Sequence, residues 1–168
     1  MMAVRRLNHA VLYVRDVETS VAFYRDVLGF ELLTEYPGAA FLRASGSTND
    51  HDLGLFAIGA GAADSGAGTS SVGLYHLAWE VETLAELADL RQRLASVGSL
   101  VGQSDHGSTK SLYAKDPDGL EFEMCWLIPK DLLDGTSMSG VDPLDLDKEI
   151  ARYGAETVGG IGISWPKG

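Results

Sequence analysis

An internal repeat restricts this chain's fold more than any other feature of its sequence. Residues 7–14, LNHAVLYV, align with residues 74–81, LYHLAWEV, at an offset of 67 positions that places His9 on His76. Both segments read as strands, and each runs at once into a helical pattern. In the first copy Val17, Val21, Tyr24 and Leu28 recur at helical spacing from a start near Asp16, and Gly29 is the stop. In the second copy Thr83 with Glu86 three residues on forms a capping box. Leu84, Leu87, Leu90, Leu94 and Val97 then make one apolar face, ended by Gly98. Three strand-like runs follow each helix, at 30–36, 39–44 and 52–58, and at 100–103, 111–115 and 120–127. The pattern predicts an α+β fold of two tandem βαβββ modules, residues 1–58 and 74–128. The Gly/Ala/Ser-rich residues 59–73 read as a flexible linker. Residues 129–168 form a C-terminal extension, loop-like at first. Asp142-Pro143 opens a helix within it that runs to Tyr153 and stops at Gly154. The extension is expected to pack over the two modules or against a partner subunit.

At 168 residues, 45% of them hydrophobic, the chain can bury a substantial core. Its formal charge of −11 argues against nucleic acid as a partner, because phosphate binding needs a basic patch. No apolar run reaches the ~20 residues of a membrane helix, and no apolar segment follows Arg5 and Arg6 to make a signal peptide. The single cysteine, Cys125, excludes an intramolecular disulfide and suits a reducing, cytoplasmic setting. Within Met124-Cys125-Trp126-Leu127 it reads as a small buried side chain rather than a nucleophile.

Alternate residues of a strand share a face, so His9 falls with Leu7, Val11 and Tyr13, and His76 takes the same place in the second copy. In 120–127 the residues Phe122, Met124 and Trp126 mark one face as apolar, which turns Glu121, Glu123 and Cys125 the other way. A carboxylate there is costly unless the face is wet or holds a cation. Each residue alone has a bland reading: a hydrogen-bonded strand histidine, a relic of duplication, a solvated strand end.

Three segments together, LNHAVLYVRDVETSVAFYRDVLGFEL, LYHLAWEV and KSLYAKDPDGLEFEM, resemble the vicinal oxygen chelate superfamily. That superfamily includes glyoxalase I, type I extradiol dioxygenases, fosfomycin-resistance transferases and bleomycin-binding proteins. The resemblance covers about residues 4–128 and leaves the extension outside. It implies paired modules whose sheets curl around a metal-centred cleft. It also implies that His9, His76 and Glu123 bind one divalent metal, with Asp116-Pro117-Asp118-Gly119 serving as a turn.

Two histidines and one carboxylate suit non-haem Fe(II) oxygenases, and Mn(II) fits the same ligands. Glyoxalase I adds a fourth protein ligand from the last strand of its first module. The inward residue there is expected to be Leu55, which cannot bind metal. The stretches NDHDLGLF and DHGSTKSLYAKDPDG resemble those that carry the acid-base histidine and the substrate-binding histidine and tyrosine of extradiol dioxygenases. The resemblance therefore implies that His51, sharing a strand face with Leu53 and Leu55, exchanges protons with a catechol. It implies likewise that His106 and Tyr113 hydrogen-bond the substrate oxygens and that Val11 lines the oxygen pocket. The activity so implied is extradiol cleavage of a small aromatic vicinal diol by dioxygen, in an enzyme of a family that often forms homodimers. One alternative is a fosfomycin-type thiol transferase, which needs cations beside its metal, for which Lys110, Lys115 and Arg43 are the candidates. Another is a non-catalytic small-molecule binding protein.

Overall fold

The computed structural model describes residues 3–4, 6–67, 70–133 and 140–160. Arg5, residues 68–69 of the expected linker, residues 134–139 of the expected loop and residues 161–168 lie outside the described residues. The chain divides into two compact units, Met1–Ser65 with Pro117–Gly119, and Gly66–Asp116 with Leu120–Gly168.

In the first unit β1 (Ala10–Val14) leads into α1 (Val17–Ala22), which continues as a π-helical turn over Phe23–Val27. Asp16 caps α1 by accepting the Thr19 N–H at 2.7 Å. Gly29, at φ 81°, supplies the left-handed residue that closes the helical stretch. Then come β2 (Glu31–Tyr36), β3 (Ala39–Arg43) and β4 (Leu53–Ala57), in the order β1-β4-β3-β2. β1 runs parallel to β4 and the other pairs are antiparallel. Leu12, Val14, Ala40, Leu42, Leu53 and Leu55 form the buried sheet face, on which α1 lays Val17 and Val21. Val11 and Tyr13, on the opposite face, are exposed. Asp118 belongs to this unit by an ion pair with Arg15 at 2.8 Å, and Arg15 also reaches Asp64 at 2.6 Å.

The second unit repeats the topology with β5 (Leu77–Glu80), α2 (Leu84–Ser96), β6 (Leu100–Asp105), β7 (Thr109–Lys115) and β8 (Glu121–Leu127). Its order is β5-β8-β7-β6, again with only the first pair parallel. The architecture is thus α+β, with two four-stranded mixed sheets. The capping box forms in full: the Thr83 hydroxyl accepts from Glu86 N–H while Glu86 accepts from Thr83 N–H. Leu84, Leu87, Leu90 and Leu94 are buried as the periodicity predicts. Val97 is not: it is the C-cap and 53% exposed, because the helix ends before it can complete the stripe.

The described part of the extension packs on the second unit. Asp142 bridges to Asp105 instead of opening a helix, and α3 (Leu146–Tyr153) starts three residues later behind its cap, Asp145. It ends at Gly154 as expected. α3 lies against α2, and the indole N–H of Trp126 donates to Thr157 O at 3.1 Å. Among the described residues, no helix is long and apolar enough to cross a membrane.

Candidate functional site

In the second unit, pairing sets which side chains meet. The register places Ala78 and Tyr113 beside Glu123, and Glu80 and Ser111 beside Cys125. Glu123, Cys125, Ser111 and Tyr113 therefore share one face, and His76 stands one residue before β5 at its edge. The other face, with Phe122, Met124, Trp126, Leu112 and Lys110, is buried under α2 and α3.

Two pairs of predicted site residues meet on the open face. His76 Nε2 lies 3.1 Å from Glu123 Oε2, and His106 Nε2 lies 2.7 Å from the Tyr113 hydroxyl. The rings of Tyr113 and His76 are 5.8 Å apart, so the pairs adjoin. Burial, then the charge of Glu123, raises the Tyr113 phenol above its ordinary range, against an opposing hydrogen bond with Ser111. Burial, followed by the charges of Glu123 and Glu80, pushes the Cys125 thiol up to about 12. Cys125 is thus a buried neutral thiol, as its apolar neighbours suggest.

In the first unit His9 precedes β1 by one residue, and its ring lies 4.4 Å from that of His51. His51 Nδ1 is 3.0 Å from Asp50, whose carboxyl the contact holds below its usual range. The His51 ring also meets Phe41 edge-on at 5.2 Å. These contacts correct the strand-face expectation. Leu53 and Leu55 are fully buried on the face covered by α1. The face of Val11 carries Gly54, Phe56 and Phe41 instead, since a Cβ built on Gly54 would meet Val11, Phe41 and Phe56 at 3.4–3.6 Å. His51 reaches His9 and Phe41 because it lies ahead of β4, outside the alternation that governs Leu53 and Leu55. The residues of β4 on that face, Gly54 and Phe56, are no better metal ligands than Leu55.

Among the described residues, no group of three or more His, Cys, Asp or Glu side chains is gathered closely enough to hold a metal. The donor chemistry of the second unit nonetheless fits one. His76 Nδ1 is buried without a hydrogen-bond partner, and Nε2 faces a carboxylate oxygen. Imidazole and carboxylate converging in this way can turn to a shared cation at little cost in side-chain order. Two of the three cations offered for a phosphonate are placed otherwise, whereas Lys115 alternates with Tyr113 onto the face of Glu123. Lys110 is buried on the opposite face, 2.5 Å from Asp105 and 3.1 Å from Glu149, and Arg43 pairs with Glu31 at 2.7 Å.

The sequence reading missed Ser111, whose hydroxyl donates to Glu123 Oε1 at 2.5 Å. Serine in a strand carries no signal of its own; only the pairing of β7 with β8 reveals its role. Tyr75 was missed as well. Its ring lies 4.6 Å from that of His76, and its phenol is raised by a hydrogen bond to Glu121 and by that residue's charge.

Residues 6–124 match the sequence profile of the Glyoxalase/Bleomycin resistance protein/Dioxygenase superfamily. The chain is 33% identical over 118 residues to catechol-2,3-dioxygenase of Bacillus subtilis (strain 168), a match covering 70% of this chain and 40% of that protein. It thus spans well under half the length of that relative. It is also 33% identical over 127 residues to lactoylglutathione lyase of Salmonella typhimurium, covering 71% of this chain and 90% of the lyase. Among solved structures, the glyoxylase/bleomycin resistance protein/dioxygenase domain from Frankia sp. EAN1pec superposes with a TM-score of 0.60 at 23% identity. That superposition covers 73% of this chain and 98% of the Frankia domain, and it speaks to the fold alone.

Proposed function

Because this chain belongs to the glyoxalase/bleomycin resistance protein/dioxygenase superfamily, we propose that it is an extradiol dioxygenase cleaving a small aromatic vicinal diol. In this reading His9, His76 and Glu123 are the ligands to Fe(II), with Mn(II) able to use the same donors. When bound, such a metal would supply open positions beside which the diol and dioxygen are held together. The supporting observation is the His106–Tyr113 pair, joined at 2.7 Å and set against the ring of His76. A phenol that burial keeps protonated is a hydrogen-bond donor for a diol oxygen, and His106 fixes its direction. His51, held on one ring nitrogen by Asp50, keeps the other for exchanging the diol proton. Val11, half exposed two residues past His9, lines the space left for dioxygen.

A second reading, isomerisation of a glutathione hemithioacetal, is favoured by the match over 90% of the Salmonella lyase. The fourth ligand expected of glyoxalase I is missing from the relevant face, where Gly54 and Phe56 stand. One experiment separates the two. Fe(II)-reconstituted protein is assayed for oxygen uptake on a panel of catechols, and in parallel for turnover of the methylglyoxal–glutathione hemithioacetal. Catechol-dependent uptake without hemithioacetal turnover is expected; the reverse result would replace the proposal by the second reading.

A further inference from the structure

Ser111 is completely buried on β7, and its hydroxyl bonds Glu123 Oε1 at 2.5 Å. A carboxylate only accepts, so the serine is the donor. With Oε1 taken up in this way, Glu123 keeps Oε2 directed at His76 Nε2, 3.1 Å away. Glu123 has three side-chain torsions, and on a half-buried strand face its carboxylate can swing towards solvent unless something holds it. The register of β7 against β8 provides that restraint, because Ser111 lies opposite Cys125, one step along the shared face from Glu123.

We propose that Ser111 is a positioning residue that orients the Glu123 carboxylate for metal binding. The inference rests on the reading of His76 and Glu123 as ligands and adds a residue which that reading does not contain. Partners hydrogen-bonded to a ligating carboxylate typically contribute about 10- to 100-fold in metal affinity. The hydroxyl, rather than the volume of the side chain, carries the effect.

The test is Mn(II) titration, followed by calorimetry or by the loss of the free-ion paramagnetic signal, on wild type, Ser111→Ala, Ser111→Thr and His76→Ala. Wild type binds Mn(II), and His76→Ala abolishes or severely weakens binding. Ser111→Ala loses about 10- to 100-fold in affinity, and Ser111→Thr, which restores the hydroxyl, returns to within about threefold of wild type. Thermal unfolding of the metal-free proteins checks that each variant is folded. Equal affinity in Ser111→Ala and wild type overturns the Ser111 proposal while leaving the ligand assignment in place. Equal losses in Ser111→Ala and Ser111→Thr also overturn it, since packing rather than the hydroxyl would then matter. If wild type fails to bind Mn(II), or His76→Ala binds it undiminished, the ligand assignment falls and Ser111 falls with it.

Discussion

At the scale of single residues, the imidazoles of the first unit divide into two roles. His9 hydrogen-bonds its neighbour Asn8 at 2.7 Å and lies at the edge of the sheet, whereas His51 is tied to an acidic partner. If His51 moves the diol proton, His51→Gln keeps hydrogen bonding but cannot exchange a proton. We expect kcat for catechol cleavage to fall by about 10²- to 10⁴-fold with KM little changed. An unchanged kcat in metal-replete enzyme would reassign proton transfer to His106. Cys125 gives a separate pH signature. Its thiol stays neutral in the folded protein until about 12 but ionises near 9.0 when exposed. Between those values the unfolded chain holds fewer protons than the native one. This contribution to stability is therefore intact below pH 9 and declines as the pH rises above it. The native thiol should also resist alkylation at pH 8 and react at once in denaturant, and rapid labelling of the native protein would contradict its burial.

At the scale of elements, what the sequence shows is set by how local the cause is. The capping box at Thr83 depends on two residues three apart, and it forms as read. Thr83→Ala should lower stability by about 1 kcal/mol, seen as a shifted urea midpoint at constant slope. An unshifted midpoint would show that packing of α2, not its cap, secures the helix start. The offset of 67 holds through β1 and α1 against β5 and α2, since Ala10 and Val17 correspond to Leu77 and Leu84. Beyond the helices the repeat drifts, because each module turns its strands with loops of its own length. The π-helical turn at Phe23–Val27 left no mark in the spacing, and Tyr24 and Leu28 are buried as the helical pattern expects. The face of β4 was misread for a different reason. Alternation says which residues share a face, but Leu53 and Leu55 are as apolar as any cleft lining, and only α1 lying on them shows that they are core. The candidate ligands His76, just ahead of β5, and Glu123 on β8 stood out because a charged or basic residue against an apolar alternation is conspicuous. Ser111 was not, because its meaning lies across a strand pair 12 residues away in sequence.

At the scale of the whole molecule, the described part of the C-terminal extension belongs to the second unit's core, where Leu144 and Leu146 are buried. Backbone bonds Ala85 N to Ala155 O, Asp105 N to Asp142 O and Gly160 N to Leu127 O join it to the module. Under α3 lies a charge cluster that the sequence offered only as a cation for an anionic substrate. Lys110, 2% exposed, stands between Asp105 and Glu149, of which Glu149 is also buried. Removing either sign from such a cluster has unequal consequences. Glu149→Gln leaves the ammonium paired with Asp105 and should lower stability by about 1–3 kcal/mol. Lys110→Met removes the shared cation and leaves two carboxylates facing each other, one of them buried. That loss should reach about 3–5 kcal/mol, because a buried charge deprived of its partner keeps its desolvation penalty. Salt should rescue little of it, since screening scarcely reaches a buried pair. Urea unfolding of both variants at low and high salt measures the ordering. Lys110→Met as stable as wild type would mean that the apolar contacts of Trp126 and Tyr153, 5.6 Å apart, suffice to hold α3 on the sheet.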